Sequence, residues 1–485
     1  MFFGISYLNF KLNKMKTYKI AWRNLWRNRK RTAITSASIL FAVFFAVTMR
    51  SFQLGFYDHM IKNAIESFSG FLQVQNADYQ HDPSLENSIV LDGDIVKRLE
   101  QNPRIKTVVP HLETFALAST GNQTKGALVV GIDPEKEKGL SDPENRLVKY
   151  KFTPEIVEEL SKKEMPDYIK ENLKMIQHNS YSSEGIISVD MNFQKGDEEK
   201  YLPVIKEAGK YYGESLNETD EGVLVSDKLA RYLKVKPGDT IVLMGMGYHG
   251  ATAAGLYPVR GLVKIPSPEL DNKLIYMTLQ QTQLFCNLDN RVTSISINLK
   301  RNTEKEMIAM QDELNRELTP EGLVVRTWKE FNKVLKQQIE GDNQSGKVML
   351  GLLYFIIFFG IFGTVLMMIH ERYREFGVLV AIGMQKIKLV YTMIIEMVFM
   401  GLLGVFSGTL LSLPLLYIGH NFPYRLKGDM AKMMEDYGFE AIMPLAWIDK
   451  YVLWQALIVA LMVVLACMYP LRKVYKIKAV NALRA

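Results

Sequence analysis

The sequence predicts an integral membrane α-helical protein with four transmembrane helices. A large α+β extracytoplasmic domain is inserted between helices 1 and 2. Three observations carry that expectation: four apolar stretches of membrane-spanning length, clusters of Lys and Arg at alternate ends of them, and a long interval of mixed strand and helix patterning between the first and second.

Bulk composition hides this organisation. The chain has 485 residues, 48% hydrophobic and 23% charged, with a net charge of +7 and a mean hydropathy of −0.02, values typical of soluble proteins. Its length exceeds one ordinary domain. Cys286 and Cys467 are the only cysteines, which excludes a disulfide framework and a Cys-rich zinc or iron–sulfur site.

Residues 1–31 read as a cytoplasmic basic amphipathic helix, with nine Lys or Arg and no acid. The first span is placed at 32–56, and Thr32–Met49 carries no charge. The basic region before it is too long for a signal peptide, and no small-x-small cleavage site follows before Arg50, so the helix is expected to be retained. Residues 346–369, 389–419 and 451–470 are the second, third and fourth spans; each reaches the ~20 residues that cross a ~30 Å hydrocarbon core. Soluble helices carry a polar stripe, and these carry none. Residues 370–388 and 471–485 add further basic clusters. Basic segments face the cytoplasm, so both termini and the 370–388 segment are expected there. The domain at 57–345 and the short loop at 420–450 are expected outside the cytoplasm. Between Ser51 and Ser345 there are 35 basic and 44 acidic residues, a net −9, whereas the remaining 24 basic and 8 acidic residues give +16. The average combines an acidic domain with a basic anchor.

Within the large domain, Thr293–Leu299 alternates apolar and polar residues as a half-buried strand does. Gly126–Ile132 and Leu323–Arg326 also read as strands, Glu304–Leu318 as a solvated amphipathic helix, and Lys236–Asp239 as a turn before the strand Thr240–Met244. Residues 135–220 are highly charged and helix-like, an inserted subdomain. Gly245–Gly255 suits an exposed flexible loop and reads as a hairpin tip more than as a substrate contact.

Most candidate chemistry fails on inspection. Gly341–Lys347 has the spacing of a phosphate-binding loop, but Val348 replaces the Ser or Thr that would hold magnesium, and the segment opens a membrane span. No cofactor is expected on this chain, which needs an energy source supplied by another protein. The histidines offer no pair at metal-ligand spacing on one helix; His249 and His370 read as solvated. Asn217-Glu218-Thr219 fits a glycosylation sequon that chance produces often. Glu396, about seven residues into the third span, is costly there and reads as a snorkelling or helix–helix hydrogen-bonding residue before a relay. The basic residues flank spans and do not interleave with aromatics, which makes them lipid-facing anchors and excludes a nucleic-acid surface.

The informative segment is His370-Glu371-Arg372-Tyr373-Arg374-Glu375-Phe376-Gly377-Val378-Leu379-Val380-Ala381-Ile382-Gly383. Phe376, Leu379 and Val380 fall on roughly one helical face. A cytoplasmic amphipathic helix joined to two spans is suited to a partner's groove.

This stretch resembles the Glu-Arg-x-Arg-Glu-Phe-Gly-x-Leu-x-Ala-x-Gly signature of FtsX-type ABC transporter permeases. Ala21–Thr32 is similar to the leading amphipathic helix of the lipoprotein-releasing branch. Gly131–Pro134, Lys236–Asp239 and Arg326–Glu330 resemble motifs of its outer core domain, which macrolide exporters share. Tyr469-Pro470 and Lys478–Arg484 resemble its C-terminal end. Residues 135–220 match nothing in that pattern. The resemblance implies a dimer, with a second copy or a paralogue, acting with a cytoplasmic ABC ATPase dimer. Glu371, Arg372, Arg374, Glu375, Phe376, Gly377, Leu379 and Gly383 would then form the ATPase-coupling segment. It also implies mechanotransmission to the outer domain, lipoprotein extraction and transfer to a periplasmic carrier or adaptor. Extraction of acyl chains costs ~0.8 kcal/mol per buried CH₂, which calls for an energy source. An efflux permease for macrolides, peptides or other amphiphiles is the alternative, weakened because such exporters often carry a fused ATPase. A non-transporting regulator of cell-wall enzymes is a further one, weakened because its outer domain is usually smaller. A tethered enzyme has no catalytic constellation to support it.

Overall fold

The computed structural model describes residues 19, 21–27, 29–426, 429–436 and 441–476. The residues before 19 and the closing motif Lys478–Arg484 lie outside the described residues. The chain divides into two compact units, one holding 1–58, 338–424 and 443–485, the other 59–337 and 425–442.

The first unit is helical: α1 (Arg29–Ile61), α2 (Lys333–Glu371), α3 (Tyr373–Ala381), α4 (Lys386–Asn421) and α5 (Lys450–Tyr475). Four of these, α1, α2, α4 and α5, are long and apolar enough to cross a membrane. Each runs past the span expected from sequence. The largest difference is at α2, which starts at Lys333 and carries Gly341–Lys347 as continuous helix, not as a loop. Val43, Ile361, Val365, Met397 and Val459 share the core of this unit. The side chains left outside, such as Phe45, Ile356, Leu402 and Leu453, are apolar, as hydrocarbon requires of a spanning helix surface.

The second unit is built on nine strands: β1 (Leu72–Asn76), β2 (Ile105–Ser119), β3 (Thr124–Ile132), β4 (Val223–Ser226), β5 (Thr240–Met246), β6 (Thr252–Val263), β7 (Leu274–Thr278), β8 (Ser294–Leu299) and β9 (Leu323–Thr327). Their order is β9-β1-β8-β2-β3-β7-β4-β6-β5, and β5 pairs back onto β2. The fifteen-residue β2 therefore serves two sheets. Its first half, Ile105–His111, completes an antiparallel sheet with β8, β1 and β9. Its second half, Leu112–Ser119, pairs with β3 on one side and β5 on the other and closes a six-stranded ring. Alternate residues of β3 point to opposite faces, as strand geometry demands: Ala127 and Val129 join the core inside the ring, Leu128 and Val130 an outer cluster. Helix Glu304–Leu318, capped by Thr303, turns Met307, Met310, Leu314 and Leu318 inward, and Asn315 bonds both backbone groups of Val325 on β9.

The charged interval between β3 and β4 folds around a core of its own. Phe152, ahead of the first helix, forms a separate cluster with Leu160, Ile169, Leu173, Ile187 and Ile205 from helices Pro154–Ser161, Asp167–Met175, Glu184–Met191 and Asp197–Gly209. In the Gly- and Ala-rich stretch the strands stay paired out to Met246 and Thr252. The tip is tied down, because the Tyr248 amide donates to the Cys286 carbonyl at 2.8 Å and the His249 amide to Glu86 at 2.6 Å. It is a pinned hairpin and not a flexible loop.

Candidate functional site

The motif segment folds as the corner between α2 and α4. Helix α2 ends at Glu371, Arg372 leaves helical geometry, and α3 follows. At its far end Gly383 adopts φ +101°. The Gly383 amide donates to the Val380 carbonyl at 3.1 Å and the Met384 amide to the Leu379 carbonyl at 2.9 Å. That pair of bonds is a Schellman cap, and the left-handed backbone it requires suits glycine. Gly383 is thus the residue that stops α3 and turns the chain into α4.

The expected face of Phe376, Leu379 and Val380 is divided by the fold. Phe376 is buried in the core of the helical unit, Gly377 is buried beside it, and Val380 is half-buried. Leu379 faces out with Val378 and with Ile382, which is 79% exposed. Glu371 at the end of α2 and Arg374 and Glu375 of α3 are exposed. The outer face therefore offers a charged end, Glu371 to Glu375, followed by an aliphatic patch. The 3–4 periodicity grouped Phe376 with Leu379, but the fold separates them, and the side that carries Phe376 anchors the helix inward.

Arg372 does not face out. It is 7% exposed, and its guanidinium reaches Glu396 of α4, itself 3% exposed, at 2.6 Å. The other Glu396 oxygen accepts from Asn24 of the leading helix at 2.6 Å. Arg372 also stacks on Phe376, 5.1 Å from the ring centroid, and lies 3.4 Å from Glu375, whose carboxylate is 3.6 Å from Arg27. Trp22 packs edge-on against Phe399 of α4 at 5.6 Å. A buried carboxylate in a spanning helix is tolerable only when paired and hydrogen-bonded, and Glu396 has both. Asn24, Arg27 and Glu396 are thus joined to the motif, although sequence reasoning treated them apart. The available signal was the cost of Glu396, which demands a partner.

Elsewhere, no group of three or more His, Cys, Asp or Glu side chains that could hold a metal occurs among the described residues. Cys286 and Cys467 are buried and free. His249 lies 3.0 Å from Glu86, and His370 is exposed at the end of α2.

Residues 347–479 match the family described as FtsX-like permease C-terminal. The lipoprotein-releasing system transmembrane protein LolC of Neisseria meningitidis serogroup B is 22% identical over 207 residues, covering 41% of this chain and 49% of LolC. The chain thus spans about half the length of that curated relative. Among solved structures, the periplasmic region of MacB from Actinobacillus actinomycetemcomitans aligns at 12% identity and a TM-score of 0.30, covering 56% of this chain and 92% of that one. The extracellular domain of the noncanonic ABC-type transporter YknZ from Gram-positive bacteria aligns at 12% identity and a TM-score of 0.27, covering 53% and 99%. The family match takes in α3, its motif and Glu396 together with three of the four spanning helices, and it is this segment, 347–479, that belongs with the FtsX-like permease C-terminal domains.

Proposed function

We propose that this chain is the membrane subunit of a transporter driven by a separate cytoplasmic ABC ATPase, which docks on the outer face of α3. The observation that carries the reading is the division of α3 itself. One side is fastened into the helical unit by Phe376 and Arg372, and the other leaves Arg374, Leu379 and Ile382 available to a partner. ATP and Mg belong to the ATPase dimer, and this chain acts beside a second permease subunit, a copy or a paralogue. Basic residues around the 370–388 segment and at both ends support a cytoplasmic position for them, which puts the large domain on the periplasmic face of the inner membrane.

The cargo reading is lipoprotein release from that membrane by mechanotransmission to the large domain. The name of the LolC relative supports it, as does the fixed attachment of α3. The test is copurification of the full-length chain with the ABC ATPase that its cells produce, followed by ATP-dependent release of acylated lipoprotein from proteoliposomes to a soluble carrier. Copurification without any ATP-dependent release would remove the cargo reading and leave the ATPase reading standing.

A further inference from the structure

The corner at Arg372 is tied to α4, and α4 is in turn packed against α1 with almost no space between backbones. A Cβ on Gly404 would sit 2.6 Å from Cβ of Ile39 and 2.8 Å from the Ser36 carbonyl oxygen; one on Gly408 would sit 2.6 Å from the Leu40 carbonyl oxygen. The Ser36 hydroxyl donates to the Met400 carbonyl at 3.3 Å. Glycine at such positions lets helix backbones meet, which is how spanning helices gain packing energy in lipid. Close-packed faces of this kind shift as units, not by continuous sliding.

We propose that Glu396 is a positioning residue of the coupling segment. It makes the α2–α3 corner, α4 and α1 respond as one body to a displacement of α3. A push on α3 then has two outputs: α2 directly, through chain continuity, and α1 by way of Arg372, Glu396 and the Gly404–Gly408 face. Chain order makes this consequential, since α1 and α2 are the two helices that precede and follow the large domain. Asn24 extends the same carboxylate's hold to the leading helix. The proposal rests on the ATPase-docking reading of α3.

The experiment uses the full-length chain with its copurifying ATPase in nanodiscs. Cys286 and Cys467 are replaced by serine, and spin labels are placed at the exposed positions Phe45 of α1 and Met367 of α2. In the otherwise native chain, the label distance should be the same without nucleotide and with ATP, Mg and vanadate. In the doubly neutral variant Arg372→Met with Glu396→Met, α1 should lag α2, and the distance should change with nucleotide by about 5 Å, one helical turn. Removing both charges avoids stranding one of them in the interior, so this variant should fold and keep its ATPase bound, whereas Glu396→Met alone should lower stability. A merely structural pair would lose its effect on the distance once folding is restored. A nucleotide-dependent distance in the native chain, or an unchanged one in the double variant, overturns the proposal. Leu379→Asp tests the docking reading separately: if the ATPase stays bound to that variant, the docking face is wrong, while the distances still judge the pair.

Discussion

His111 and Glu137 meet at 2.9 Å with both side chains fully buried, at the residue where β2 leaves one sheet for the other. His111 is the last residue of β2 paired with β8, and Leu112 the first paired with β3. The second ring nitrogen lies 3.3 Å from the Ser296 hydroxyl on β8. Burial opposes a charged ring, but the carboxylates of Glu137 and Glu113 outweigh it and hold the His111 pKa above its ordinary value.

A raised histidine pKa stabilises the fold below its unfolded value, about 6.5, and that contribution disappears as pH rises through the folded value. Burial also raises the Glu113 carboxyl, which works in the same direction. Thermal unfolding of the full-length protein should therefore show the largest gap between wild type and His111→Gln near pH ~6, shrinking towards pH ~9. A gap of equal size at both pH values would show that His111 is not held charged.

Replacement of Glu371 and Arg374 together, by Ala, should lower permease-stimulated ATP hydrolysis about tenfold, worth ~1.4 kcal/mol of coupling. Membrane insertion should be unaffected, because both side chains are exposed. Stimulation at the wild-type level would remove the coupling assignment.

Gly408→Val places a branched side chain where the Leu40 backbone and Val43 already stand within 3.1 Å of a Cβ. Overpacking of this kind costs ~1–3 kcal/mol, and a melting curve in detergent should register it. Gly351, with open space around its Cβ position, serves as the control: Gly351→Val should melt within about 0.5 kcal/mol of wild type.

Asp227 is buried with Arg231 at 2.7 Å, the Ser180 hydroxyl at 2.8 Å and Lys151 at 3.9 Å. Burial alone would raise its pKa, but Lys264, Arg231 and Lys151 outweigh it and lower it. Its contribution is present above the ordinary aspartate value near 3.9 and lost as pH falls through the lowered one. At neutral pH, Asp227→Ala should cost roughly 1–3 kcal/mol, chiefly for leaving the buried Ser180 hydroxyl unpaired, because Arg231 and Lys264 remain partly hydrated. Denaturant unfolding at pH 7 measures it.

A cysteine at Ala485 should react with a membrane-impermeant thiol reagent only after the cytoplasmic face is opened. Reaction from outside intact cells would overturn the four-span orientation.

The spans were legible because uncharged runs of that length have one physical use. The polar start of α2 was not, since Lys333–Ser345 shows no apolar stripe. It is held by side-chain bonds to α1, from Tyr57 to Asp342 at 2.6 Å and from Arg50 to Asn343 at 2.9 Å, which leave no periodic trace. Strand β8 followed from alternation and the helix Glu304–Leu318 from amphipathicity, although β8 is buried on both faces and not half-buried, its Ser294, Ser296 and Asn298 lying inside as well. The dual strand β2 did not: Pro110 lies within it, and proline argues against a central strand. At the site, the motif marked α3, and Gly383 marked its end. The charges that fasten it were hidden by distance along the chain, 24 residues between Arg372 and Glu396 and 372 between Asn24 and Glu396.

The chain enters the helical insert at Lys149 and leaves it at Tyr211, and there the Tyr211 amide donates to the Lys149 carbonyl at 2.8 Å. Two ends already that close ask almost nothing of the ring they interrupt, since the entropy of closing a loop grows only slowly with its length. To the strands on either side, sixty residues or a tight turn are nearly the same graft. What the insert does owe the ring passes through one residue: Ser180 and Lys151 partner the buried Asp227, so a shorter or longer insert is tolerated on physical grounds only where those two contacts are kept.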